Sequence, residues 1–177
     1  LASYTRFRQL SERIDAPVRW CPGNHDERDA MRKATLDSDL MEPVLEMGAW
    51  RVVMLDTLVP GSVFGLLRDD QLELLERTLA QAPERPHLVC LHHHPVTIDS
   101  RWMDSMGLTN AEALFAITDR FPQVKGMVFG HIHQQFEGSR NKVRMIGSPS
   151  TCIQFKPGAD AFEADALPPA YRWFDLR

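Results

Sequence analysis

Short apolar runs punctuate the chain, and most of them stop at a polar residue that could carry chemistry. Residues 18–21, 50–55, 88–91, 126–129 and 142–146 each predict a buried strand. Between them the apolar positions recur at helical spacing. Tyr4, Phe7, Leu10 and Ile14 predict an amphipathic helix over residues 3–14, ended before Pro17. Residues 27–46 read as a loosely amphipathic helix broken by Pro43. Leu72, Leu75 and Leu79 line one face of a helix that opens on Asp69 and Asp70, whose charge suits a helix N-terminus, and stops at Pro83. Asn110 is the expected cap of another helix, with Leu114, Ile117 and Phe121 inward and Pro122 as the stop. Residues 59–67 form a glycine-punctuated loop, and residues 171–176 are a candidate last strand. Helices and strands alternate early and short strands crowd the end, which predicts an α/β fold in one domain over residues 1–177.

The polar residues that end these runs fall into a pattern. Residues 18–21 lead into Pro22-Gly23-Asn24-His25-Asp26, where Gly23 permits a tight turn. Asn24, His25 and Asp26 then sit at a strand's C-terminal edge, where open α/β sheets place their sites. An amide oxygen, an imidazole and a carboxylate can together bind a hard-to-borderline metal and move a proton. A plain turn uses the same residue types. The other histidines separate the two readings. The chain has 7 histidines, and 6 of them form three groups: His25; His92, His93 and His94; His131 and His133. Each group follows an apolar run. In an extended turn His131 and His133 would point the same way, so that two ions could each take one. His92 leaves its strand with no intervening turn residue and is the preferred ligand of the triplet, with His93 as the alternative. His94, before Pro95, is expected to support the site from behind or to be exposed.

Composition narrows the function classes. At 177 residues, 44% hydrophobic and 25% charged, this is globular composition. Net charge is -4 with no basic stripe, which argues against a nucleic-acid groove. No apolar run is long enough to cross a membrane. The 3 cysteines show no paired spacing and fit reduced thiols in a cytoplasmic protein. The chain opens on Leu1 inside a helical stretch, which suggests a piece of a longer protein. The nearly all-apolar strands need cover on both faces, so a homo-oligomer is one expectation.

Gly23-Asn24-His25-Asp26, His92-His93-His94-Pro95 and Gly130-His131-Ile132-His133 resemble, in this order, the motifs of calcineurin-like metallophosphoesterases. Trp20-Cys21 ahead of the first motif, Gln134 after the third, and Pro149-Ser150-Thr151-Cys152-Ile153-Gln154-Phe155-Lys156-Pro157 resemble the bacterial class III cyclic-AMP phosphodiesterases more narrowly. The resemblance implies a four-layer αββα sandwich, here lacking its N-terminal strands. It implies two metal ions, divalent or mixed-valence, of Fe, Mn or Zn. Asn24, His92 and His131 would ligate one ion and His133 the other. Asn24, His25 and His133 would meet the substrate, and His25 would protonate the leaving oxygen. The implied reaction is hydrolysis of 3′,5′-cyclic AMP to 5′-AMP, in which a protonated leaving 3′-oxygen departs far more easily. Histidine as a residue type titrates near neutrality and suits that task. The resemblance also implies an Asp-x-His and a Gly-Asp motif ahead of Gly23. Residues 1–22 carry neither, so a partial domain that is inactive alone and holds at most one ion is expected. Against this stand a glycerophosphodiester or nucleotide-lipid hydrolase with the same metals, and an inactive fragment that only packs against another molecule.

Overall fold

A computed structural model describes residues 1–177. Helix α1 (Ala2–Ser11) and helix α2 (Arg28–Ala34) precede a single 3-10 turn at Asp39–Met41. A six-stranded sheet follows, built from β1 (Val44–Met47), β2 (Trp50–Leu55), β3 (His87–Leu91), β4 (Val124–Phe129), β5 (Phe136–Arg140) and β6 (Val143–Gly147). Helices α3 (Asp69–Gln81), α4 (Arg101–Asp104) and α5 (Ala111–Thr118) lie between the strands in sequence. The spatial strand order is β1-β2-β3-β4-β6-β5. The central strands β2, β3, β4 and β6 run parallel, while β1 and β5 are antiparallel edges. The mixed α/β architecture is the one the strand and helix pattern predicts.

Period-two alternation explains the core. Val53 and Leu55, Val89 and Leu91, Met127 and Phe129, and Val143 and Met145 share one face of the sheet and form one buried cluster. Leu75 and Leu79 from α3, and Leu114, Phe115 and Ile117 from α5, cover that face. The parallel strands therefore end together, and the turns after Leu91 and Phe129 emerge at one edge. That edge carries the histidines.

Several local expectations are corrected. Residues 18–21 are not a strand: they form no ladder with any strand and are held by isolated bonds. Trp20 N donates to Leu40 O at 2.6 Å, and Cys21 Sγ donates to Leu55 O at 3.4 Å. Residues 27–46 are not one helix. They break into α2, the 3-10 turn and β1, because Pro43 blocks helical continuation and the chain then pairs with β2 across a two-residue turn, Gly48 (φ 58°) and Ala49. Helix α1 stops at Ser11, short of Ile14, and its apolar stripe is largely open, with Phe7 at 52% and Leu10 at 40% exposure, although the Phe7 ring packs against Trp20 at 4.8 Å. Asn110 precedes α5 without capping it. Its side chain instead clamps Leu67, accepting from Leu67 N at 2.9 Å and donating to Leu67 O at 2.8 Å, and so ties the 59–67 loop to α5. Strand β5 went unread because it lacks apolar alternation. It pairs with β6 through Asn141 (φ 49°) and Lys142 (φ 71°), two left-handed residues of a primed hairpin turn without its usual glycine. Residues 171–176 make no ladder. They are anchored by the Arg172 guanidinium, which donates to Gly147 O, Phe136 O and the Glu137 carboxylate.

Candidate metal centre

The first motif is a turn closed by its own acid. Gly23 N donates to Asp26 Oδ2 at 2.8 Å, Asp26 N donates to Gly23 O at 3.0 Å, and Tyr4 Oη donates to Asp26 Oδ1 at 3.0 Å. The Asp26 carboxylate is thereby occupied, and Asn24 is the group presented inward. Asn24 Oδ1 lies 2.9 Å from His92 Nε2 and 3.2 Å from His131 Nδ1. Residues 24, 92 and 131, far apart in sequence, thus meet at one amide oxygen.

Burial pushes the His92 imidazole down to about 3 and that of His131 to about 2, and the neighbouring rings reinforce both shifts. Both rings are therefore neutral at neutral pH and keep a lone pair for a metal. One amide oxygen and two neutral imidazoles fit a borderline ion such as Zn, Fe or Mn. His93 stands close by: the ligand atoms of His92, His93 and His131 all lie within 4.8 Å of one another. No acidic side chain belongs to this group. Asp56, at the end of β2, is held by Arg28 Nε at 2.5 Å and by Arg68 Nη2 at 3.6 Å.

The third motif differs from its expected shape. His131 (φ 67°) and His133 (φ 47°) both sit in the left-handed region, so the turn is not extended. Ile132 between them is fully buried, and its Cδ1 fills the space where Gly147 has no Cβ, 2.4 Å from where one would stand. His131 is turned toward Asn24. His133 is half-buried, with Nδ1 3.0 Å from Ile153 O and its ring stacked on Phe155 at 4.2 Å and 11°. His25 is exposed and lies near enough to His92 and His133 to interact electrostatically with both. Asn24, His92 and His131 are thus brought into contact, and His25 and His133 flank them without joining the contact.

Sequence reasoning missed what stands behind these residues. His93 is fully buried and its Nδ1 lies 2.7 Å from Thr57 Oγ1. His94, expected to support the site or be exposed, is buried, stacked on the His131 ring at 5.8 Å, with Nε2 3.7 Å from Asp104. Each ring of the triplet also packs on a glycine. A Cβ on Gly23 would meet His92 at 2.7 Å, one on Gly65 would meet His93 at 2.4 Å, and one on Gly107 would come within 3.0 Å of His94 Nε2. Loop glycines beside a histidine run were the available signal.

These buried rings predict an acid sensitivity. The folded pKa values, about 4 for His93 and His94 and lower for His92 and His131, lie below the ordinary 6.5, and that of His87 is also lowered by burial. Between these values and 6.5 the unfolded chain binds more protons, so stability is complete above pH 6.5 and falls as pH drops. Each such ring adds at most about 1.4 kcal/mol per pH unit. Denaturant midpoints should therefore fall from pH 6.5 to 4, and a flat profile would contradict buried neutral rings.

Known proteins are similar to this sequence. The 3′,5′-cyclic adenosine monophosphate phosphodiesterase CpdA of Pseudomonas aeruginosa is 53% identical over 176 residues, covering 99% of this chain and 65% of that protein. The proteins of the same name from Vibrio vulnificus and Escherichia coli K12 are each 40% identical over 177 residues, covering 99% of this chain and 65% and 64% of their own lengths. The chain thus spans somewhat under two thirds of these relatives. A crystal structure from Staphylococcus aureus, solved in complex with alpha-ketoglutarate, aligns over 98% of this chain and 41% of its own. Its TM-score is 0.52 at 13% identity, a likeness of fold. The calcineurin-like phosphoesterase model matches residues 2–135, which hold the Asn24, His92 and His131 contact, and the chain belongs to that family.

Proposed function

We propose that the protein to which this chain belongs hydrolyses 3′,5′-cyclic AMP to 5′-AMP, with Asn24, His92 and His131 holding one metal ion and His133 helping to hold a second. The meeting of Asn24 Oδ1 with His92 Nε2 and His131 Nδ1 carries this reading. The names of relatives at 53% and 40% identity support the substrate. Bound ions of Fe, Mn or Zn would neutralise charge on the phosphate oxygens and activate water.

The chain's own residues supply the rest. On this reading the phosphodiester would lie beside His92 and His131, with Asn24 and His133 in contact with it. His25 is exposed beside them and outside the Asn24 contact, so it is free to hold a proton and pass it to the leaving 3′-oxygen. Desolvation of His92 and His131 keeps them in the neutral, ligating form.

The test uses the full-length protein loaded with Mn²⁺ and offered cyclic AMP, cyclic GMP and bis(p-nitrophenyl) phosphate, with products separated chromatographically. The expected product is 5′-AMP. Formation of 3′-AMP would reverse the assignment of the leaving oxygen. Turnover of bis(p-nitrophenyl) phosphate without any of cyclic AMP would move the protein to another phosphodiester.

A further inference from the structure

The geometry points to Thr57 and His93 as a brace that sets the ring orientations of His92 and His131; both are positioning residues, and neither is a ligand. The inference rests on the reading of His92 and His131 as ligands. It begins with register. Leu55 of β2 pairs with Leu91 of β3 in a parallel ladder, and Thr57 and His93 each stand two residues beyond that pair. The two strands therefore deliver a hydroxyl and an imidazole to the same level of the sheet edge. Thr57 and His93 are both fully buried, and Thr57 Oγ1 lies 2.7 Å from His93 Nδ1.

The His93 ring is held on every side that can be named. Its centroid is 4.9 Å from that of His92 at 88°, and 4.7 Å from that of His131 at 53°. Gly65 backs it so closely that a Cβ would come 2.4 Å from Nδ1. The hydroxyl bond fixes rotation about the ring's terminal torsion, which is otherwise broad. A ring so fixed presents one edge to His92 and an inclined face to His131, and neither neighbour can rotate freely against it. His93 Nδ1 is engaged by Thr57 Oγ1, whereas His92 Nε2 and His131 Nδ1 meet at Asn24 Oδ1. Groups behind a metal's ligands commonly govern affinity because they orient those ligands, and their loss typically costs about 10- to 100-fold in metal affinity or activity.

The test uses the full-length protein with Co²⁺ as the probe, read by its visible absorption bands and by competition with a chelator. Thr57→Val removes the hydroxyl at nearly constant volume, and Thr57→Ser keeps it. Thr57→Val should weaken Co²⁺ binding about 10-fold or more and shift the cobalt bands, with the KM for cyclic AMP changing less than about twofold. Thr57→Ser should restore both readouts. Gly65→Ala would place a Cβ 2.4 Å from the same Nδ1 and should shift the bands in its own right, so the inference does not depend on one variant folding. Cobalt affinity and bands unchanged in both Thr57→Val and Gly65→Ala would overturn the brace alone. A parent protein that takes up no cobalt would overturn the brace and the ligand reading together.

Discussion

Replacing His25 with alanine should lower cyclic-AMP turnover by about 10²- to 10⁴-fold in the metal-loaded full-length protein while metal content stays near that of the parent. The two effects separate because His25 lies outside the contact among Asn24, His92 and His131 and is exposed where they are not. On the proposed reading, removing it would delete a proton donor and leave the metal-holding set whole. A substrate with a good leaving group needs no proton at its leaving oxygen. The loss should therefore shrink for a p-nitrophenyl ester and stay full for cyclic AMP. Metal analysis beside the two rates decides the matter. Loss of metal in His25→Ala, with activity restored by added ion, would make His25 a ligand and end its assignment as the acid.

Gly23→Ala should cost metal affinity at least 10-fold with the fold retained. An added Cβ would stand 2.7 Å from His92 Cε1, 2.8 Å from Nδ1 and 2.9 Å from Nε2, so the whole ring must leave its place. The ring's contact with Asn24 is 2.9 Å long and does not survive such a shift. Gly23 does not have a positive φ, so alanine strains nothing else there. Gly48→Ala is the matched control. Its Cβ meets nothing within 4 Å, but φ is 58°, so the cost is backbone strain of on the order of 1 kcal/mol, with metal binding untouched. Calorimetric metal titration and thermal unfolding of the two variants distinguish these cases. Equal metal affinity in Gly23→Ala and the parent would remove His92 from the ligand set.

The buried parallel strands were legible because apolar runs of strand length, bounded by turn residues, leave few alternatives. His92 and His131 were legible for the same reason, since each follows such a run. Residues 18–21 show the limit of that signal. The run is apolar apart from Arg19, but a strand is made by a neighbour, and the segment finds only single bonds to Leu40 and Leu55. Strand β5 is the converse, a polar edge segment that becomes a strand because β6 is there to pair with it. The Thr57 and His93 contact could not be read, because it depends on the register between β2 and β3. The turn at residues 131–133 was misread because periodicity carries no information on the sign of φ.

That turn bears on how its residues can be mutated. Left-handed backbone at His131 and His133 is tolerated by histidine, asparagine and aspartate far better than by most residues, and worst by β-branched ones. Alanine scanning here would therefore mix two quantities, the lost imidazole and the altered backbone preference. Asparagine is the cleaner probe, because it keeps the conformational preference and changes only the donor. An allele series at these positions that runs from asparagine through alanine to valine would rank variants by Ramachandran cost, whereas one ordered by donor chemistry at constant backbone preference would rank them by coordination.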